Sequence, residues 1–454
     1  MKPTIDFRTA WDAFQPSDSQ PWTRRLAAHL LRRAAFGATP SEVEAAVKAG
    51  PQETVRQLVA ATDSAATTKT FDDLAQAVLN TGNPRGWPAW WLYRMVHSSA
   101  PLAEQLTLLW HGHFATSGAK VASARLLYDQ HQILRRHALG SFRDMTHEIA
   151  RDPAMLLYLD SATNRRSHPN ENFARELMEL FCLGLGKYTE KDIQELARCF
   201  TGWEVSHERF RFNRFQYDTG EKSFLGRTGA FDGKAGVDVV LDQAAVGLFV
   251  AGKLVRHFVS DELPLTDELL TPLAQRFRET RGDLRATVTM LLGSNLFFSS
   301  VASVGAKLRS PVELAVGVLR SCEATTNMTQ LSDQLAELGQ LPFYPPNVKG
   351  WPGGRAWINA ATLVGRVNLV QRLAREAVSR AESAPLNSLA TRRAWRDVDR
   401  QFDEFSDLLL AAPPPADVRR KIIEAARSAA SDDPRRTLTE ILERLGGLPE
   451  FQLA

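Results

Sequence analysis

The feature that most narrows what this chain can fold into is a recurring start signal for helices. In Thr39-Pro40-Ser41-Glu42 a hydroxyl can accept from first-turn amides, a proline has the φ that turn needs, and a carboxylate reaches back to the cap. Thr189-Glu190-Lys191-Asp192 repeats the logic without proline, and Pro311 is placed for another first turn. Between such starts apolar residues recur at helical spacing. Leu26, Ala27, Leu30, Leu31 and Ala34 form one stripe that ends at Gly37. Similar patterns run through 51–60, 71–80, 87–98 and 101–115, then Gln243 to Phe277, Leu284 to Leu292 and Val312 to Leu319. The expected fold is mainly α, a multi-helical bundle-like body. Residues 205–240 differ: Phe210, Phe212 and Phe215 lie close together, and Asp218-Thr219-Gly220 marks a turn before Phe224-Leu225-Gly226. That pattern predicts a small β-hairpin insertion. The expected division is an N-terminal helical region 1–204, the insertion 205–240, and a C-terminal helical region 241–454. The last contains a Pro-, Gly- and Trp-rich loop at 342–359, followed by helices over 360–454 broken at Ala412-Pro413-Pro414-Pro415.

Composition serves mainly to exclude. Fifty-five basic and 52 acidic residues are mixed along the chain and leave a net charge of only +3, so no nucleic-acid-binding block is expected. The three cysteines, Cys182, Cys199 and Cys322, form no CxxC pair and read as buried apolar thiols. No uninterrupted apolar run approaches the roughly 18 residues of a membrane span. Arg24-Arg25 superficially fits a twin-arginine export signal, but His29, Arg32 and Arg33 interrupt the apolar stretch such a signal needs. As given, the chain reads as cytoplasmic, or as exported if a leader was removed. No Walker loop, HExxH or GxSxG elbow is present, and Gly184-Leu185-Gly186 follows a helix rather than a strand.

Three stretches could carry chemistry. In residues 169–181, Phe173, Leu177, Leu180 and Phe181 make an apolar stripe, while Glu171, Arg175 and Glu179 follow at i, i+4, i+8 with Glu176 beside them. Such crowding can tune a carboxylate for acid–base work, or form a surface ion-pair ladder. Asn170 and Asn172 flank it, and after the helix opened by Thr189, Trp203 stands at the exit. The second stretch, Trp110-His111-Gly112-His113, holds histidines about 200° apart on a helix; a break at Gly112 would let both reach one metal or substrate. The third is the 342–359 loop, where Trp351 and Trp357 offer stacking faces and Lys349 and Asn359 offer polar ends, as a sugar site would need. Tryptophans that simply plug the core are the alternative.

These stretches, with Leu30 to Gly37, Thr201-Gly202-Trp203 and Lys307 to Pro311, make the chain similar, over most of its length, to the large bacterial family catalogued as domain of unknown function 1800. The resemblance implies bacterial origin. It also suggests export and a sulfatase-like partner protein, features of many members.

Three functions follow as expectations. The first is a hydrolase or lyase on a carbohydrate or related polyhydroxylated polymer, with Glu176 or Glu179 as acid/base, Arg175 tuning it and His111 or His113 assisting; Asn170, Glu171, Asn172, Trp203, Lys349, Trp351, Trp357 and Asn359 would bind substrate. Hydrolysis would need two carboxyls roughly 5–10 Å apart, whereas a lyase could use a histidine base with Arg175 or Lys349 neutralising a substrate carboxylate. The second is an enzyme whose divalent metal is held by His111, His113 and glutamates. The third is a non-catalytic accessory protein that binds a partner protein.

Overall fold

The computed structural model describes residues 6–379, 397–429 and 434–454. The segments 380–396 and 430–433 of the expected helical tail lie outside the described residues. Helices form where the start signals put them. Thr39 and Glu42 close a reciprocal capping box on Pro40–Ala49, and Thr189 and Asp192 do the same for Glu190–Cys199. The periodic stretches become Pro51–Ala60, Ala65–Thr81, Trp87–His97 and Pro101–His113. Further on, Gln243 to Phe277 resolves into two antiparallel-packed pieces, Ala245–Phe258 and Asp267–Glu279. The fold is mainly α.

The insertion is two hairpins. Trp203–Ser206 pairs with Arg209–Phe212, and Lys222–Phe224 with Arg227–Gly229, both antiparallel. Each turn has two residues at positive φ: His207 and Glu208 (50° and 58°), and Leu225 and Gly226 (50° and 77°). That geometry matches strand twist but normally recruits Asn or Gly, which is why the first turn carries no sequence signal. The expected hairpin region is also cut short, because Gly233–Leu241 is a helix opened by an Asp232 cap.

Large aromatics hold the N-terminal body together. Trp87, Trp91 and Trp110 are fully buried, and each indole N–H finds a partner: the Ala124 carbonyl at 2.9 Å, the Glu104 carboxylate at 3.0 Å and the Ala138 carbonyl at 3.3 Å. Glu104 is the centre of a buried polar square. It accepts from Arg94 (2.7 Å) and Arg135 (2.8 Å), while Asp63 accepts from the same two guanidinia at 3.0 and 2.9 Å. Two charges of each sign thus satisfy one another where water cannot, and they lock three segments to the helix Pro101–His113.

Candidate functional site

That helix ends at the site. Gly112 does not break it; helical bonding continues to His113, and Phe114 caps it by donating to the Trp110 carbonyl at 2.8 Å. The two imidazoles therefore diverge. His111 accepts from the Phe343 amide at 3.0 Å, which puts its own proton on Nδ1, and it packs between the Trp91 and Phe343 rings. His113 donates from Nε2 to the Phe181 carbonyl at 3.0 Å and packs against Phe142, Phe181 and Phe249. Burial lowers the proton affinity of both, His111 to about 3, so both are neutral. With diverging rings and each Nε2 engaged, the shared metal position expected for His111 and His113 is not assembled. Among the described residues no group of three or more His, Cys, Asp or Glu side chains is arranged to hold a metal ion.

His111 anchors the loop at 342–359. Phe343 sits at φ 66°, unfavourable for a bulky residue, and is held there by its amide on His111 and by its carbonyl, which accepts from the Gly118 amide at 2.8 Å. From that anchor the loop crosses the end of the helix. Gly350 (φ 73°) abuts the Gly112 carbonyl so closely that a Cβ there would lie 2.2 Å from the oxygen, and Trp351 covers Gly112. Gly350 is needed for this backbone-on-backbone contact, whereas a Cβ on Gly112 would meet only the Trp351 ring, at an ordinary 3.7 Å.

Under the loop lies a cleft of about 580 Å³. Its walls are the end of Pro101–His113, the C-terminal half of Ala245–Phe258, the 307–313 segment and the loop itself, which contributes Lys349, Trp351 and Trp357. Lys253, Arg256 and His257 stand at i, i+3, i+4 on the otherwise apolar helix Ala245–Phe258 and so share the face that lines the cleft. Arg256 and His257 also suit the negative end of the helix dipole. On the floor, Lys307 donates to both oxygens of Glu313 at 2.9 Å, and Glu313 caps the helix Pro311–Ser321 through the Ser310 amide at 2.7 Å. Burial alone would raise the Glu313 carboxyl; Lys307, with His257 and the Ser310 amide, outweighs it and holds the group at about 2. Asp261 accepts from the Leu308 amide at 2.7 Å, and burial raises its carboxyl above the usual range. Burial, with the charges of Lys307 and Arg33, takes His257 down to about 3, and its Nε2 is enclosed without a hydrogen-bond partner, as is Nδ1 of His113.

The 168–203 region sits beside this cleft rather than in it. What was expected to be one regular helix is Asn172–Glu176 followed by a π-helical segment, Leu177–Cys182, in which the Leu183 amide bonds back to the Met178 carbonyl at 2.8 Å. The freed Phe181 carbonyl at its end is the one His113 fills. Arg175 bridges Glu171 (3.1 Å) and Glu190 (2.7 Å), and Glu179 accepts from the Tyr188 hydroxyl at 3.0 Å. Glu176 has neither an ion pair nor a hydrogen bond among the described residues; burial and Glu179 raise its carboxyl, and it is near enough to Lys349 for that cation to oppose them. Glu176 is thus a rim residue, while Arg175, Glu171 and Glu179 are paired outside the cleft.

The remaining expected binding residues divide by packing. Asn170 donates to the Asp160 carbonyl and Asn172 to the Leu159 carbonyl, bracing the loop before the helix. Trp203 is core: it lies flat on Gly233, where a Cβ would come within 2.1 Å, and packs on Phe200. Asn359 caps the helix Ala360–Ser379 by accepting from the Thr362 amide at 2.9 Å. The cysteines are free and buried. Lys253, Arg256, His257, Asp261, Lys307 and Glu313 were not singled out from the sequence as site residues. Ser310-Pro311-Val312-Glu313 carries the helix-start signal of Thr39-Pro40-Ser41-Glu42, and polar residues at i, i+3, i+4 on an apolar helix mark the others.

Among the described residues no single helix is long and apolar enough to cross a membrane. No curated protein and no solved structure matches the chain. A family model described as "Protein of unknown function (DUF1800)" matches residues 29–453, taking in the histidine helix, the π-helical segment and every wall of the cleft, and the chain belongs to that family.

Proposed function

We propose that this protein is an acid–base enzyme, a hydrolase or lyase, that cleaves a carbohydrate or related polyhydroxylated polymer in the cleft beneath the tryptophan loop. The observation that carries this reading is the company kept there: the neutral imidazoles His113 and His257 and Asp261, whose proton affinity burial raises, within one cleft of about 580 Å³ over which Trp351 offers a half-buried indole while Trp357 is packed into the core. A neutral imidazole can take a proton, a carboxyl of raised proton affinity can give one, and indole faces stack on sugar rings. Perturbed titratable groups gathered in a cleft are what a catalytic site requires.

The same electrostatics support elimination over two-carboxylate hydrolysis. Glu313 is held ionised by Lys307 and cannot serve as the acid, and Glu262 is tied to Arg355 through both oxygens. Of the carboxyls lining the cleft, Asp261 alone is free of an ion pair among the described residues. In elimination an imidazole removes a proton from ring carbon, that electron pair forms a C=C bond, the glycosidic C–O bond breaks, and Asp261 protonates the departing oxygen. No water enters the product.

The test is a panel of neutral and acidic polysaccharides assayed for new reducing ends and for ultraviolet-absorbing unsaturated ends. Cleavage should occur and should fall at least about 100-fold in His257→Asn and Asp261→Asn, the usual scale for loss of a general acid or base. Variants that fold normally and cleave like the parent would refute the assignment. If the panel is left intact and the protein instead captures a partner protein, the accessory reading replaces this one.

A further inference from the structure

We infer that the cleft selects an acidic polymer, whose carboxylate or sulfate groups are held by Lys253, Arg256 and Lys349; the inference rests on the reading of the cleft as a polymer-cleaving site. The argument is one of uncompensated charge. Of the five Lys and Arg residues lining the cleft, Lys307 is neutralised by Glu313 and Arg355 by Glu262. Three cations remain, and the carboxyls near them that carry no ion pair among the described residues are Asp261 on the floor, whose proton affinity burial raises, and Glu176 at the rim beside Lys349. The protein as a whole is nearly balanced at +3, so this excess is local.

Lys253 and Arg256 are not placed as solvated surface cations paired with a neighbour would be. Lys253 is partly buried, burial lowers its proton affinity, and its ammonium lies over the Phe249 ring at 5.3 Å and near His113, with no ion pair among the described residues. Among the described residues Arg256 donates once, to the Ser260 carbonyl at 3.3 Å, and the rest of its fork has no partner there. Lys349 is exposed on the loop with no side-chain partner among the described residues. Holding an ammonium partly out of water with no counter-charge is unfavourable. An oxyanion on the ligand supplies what is missing through charge-assisted hydrogen bonds, and a neutral sugar does not. A carboxylate beside the ring carbon would also acidify the proton that elimination removes, so binding and chemistry ask for the same substituent.

The experiment titrates the intact protein, by Trp fluorescence and calorimetry, with a galacturonate oligosaccharide (carboxylate), a sulfated oligosaccharide (sulfate) and a malto-oligosaccharide (neutral), at low and high salt. Binding of at least one acidic probe should weaken as salt rises. It should also weaken about 10- to 100-fold in Lys253→Gln, with a smaller loss in Lys349→Gln, whose exposed position leaves folding undisturbed. The stronger acidic arm identifies the group. Failure of both acidic probes to bind, equal affinity for the neutral probe, or binding indifferent to salt and to both substitutions overturns the inference. Cleavage of a neutral polymer alongside any of these leaves the acid–base reading standing, whereas loss of cleavage on every polymer removes that reading itself.

Discussion

Gly350→Ala tests whether the loop-on-helix contact sets the shape of the site. The substitution meets two separate obstacles. At φ 73° any side chain is strained, at about 1–2 kcal/mol. In addition, its Cβ would lie 2.2 Å from the Gly112 carbonyl oxygen and 3.2 Å from the Gly112 Cα, both backbone atoms that cannot rotate aside. Forced overpacking of that kind costs a further 1–3 kcal/mol or so, for a total of about 2–5 kcal/mol. Gly82→Ala supplies the control. Gly82 is left-handed as well (φ 63°), with nothing within 4 Å of the added Cβ, so it should incur the first cost alone. Heat is a poor readout, because a chain of 454 residues has an unfolding entropy near 1 kcal/mol/K, so each kcal/mol moves Tm by only about 1 °C. Urea denaturation followed by Trp fluorescence resolves the difference, and oligosaccharide binding reports whether the loop has lifted. Equal midpoints for Gly350→Ala and Gly82→Ala, with binding unchanged in both, would refute the reasoning.

The other predictions concern the charges beneath and beside the site. His111 has a proton affinity near 3 in the fold and 6.5 when free, so the unfolded chain binds the extra proton and stability is lost as pH falls from about 6.5 towards 3; His111→Gln, which keeps an acceptor for Phe343, should flatten ΔG against pH by up to about 1.4 kcal/mol per unit in that window, and an unchanged slope would count against a neutral His111. Glu313 behaves as a carboxylate favoured by the fold, with stability present above its ordinary 4.5 and lost as pH falls through about 2. Glu313→Gln should remove that acid limb and cost about 3–5 kcal/mol in urea by stranding Lys307; a loss below 1 kcal/mol would show the pair to be dispensable. Glu104→Gln should cost a similar 3–5 kcal/mol or so, because two guanidinia lose one of their two counter-charges in the core, while retained stability would mean the square relaxes by admitting water.

What could be read from the chain was local. Thr39, Thr189 and their acidic partners specify helix starts within four residues, and no distant contact is needed to realise them. Where the reading stopped, the missing information was tertiary. Gly112 looks like a helix breaker in isolation, yet helical bonding runs through it to His113 and the loop residue Trp351 packs over it. The π-helical segment Leu177–Cys182 has no compositional signature, so Glu171, Arg175 and Glu179 were set on a regular face that the backbone does not keep. Lys253, Arg256 and His257 sit in a helix whose other residues are core, and their meaning appears only when the 307–313 and 342–359 segments arrive opposite them. Glu176 and Lys349 were both legible as polar outliers, but their proximity across the rim was not.

The anchoring of Phe343 by His111 also fixes when the site can exist. The two residues are 232 positions apart, so closing that contact carries the entropy of a very long loop, and such contacts form late. During synthesis the histidine helix emerges well before the segment that covers its end, leaving Trp91 and the ring of His111 without Phe343 against them. Slow steps in maturation should therefore concentrate at the arrival of the loop, and a chaperone or a ligand that holds the loop down would act on yield before it acted on turnover.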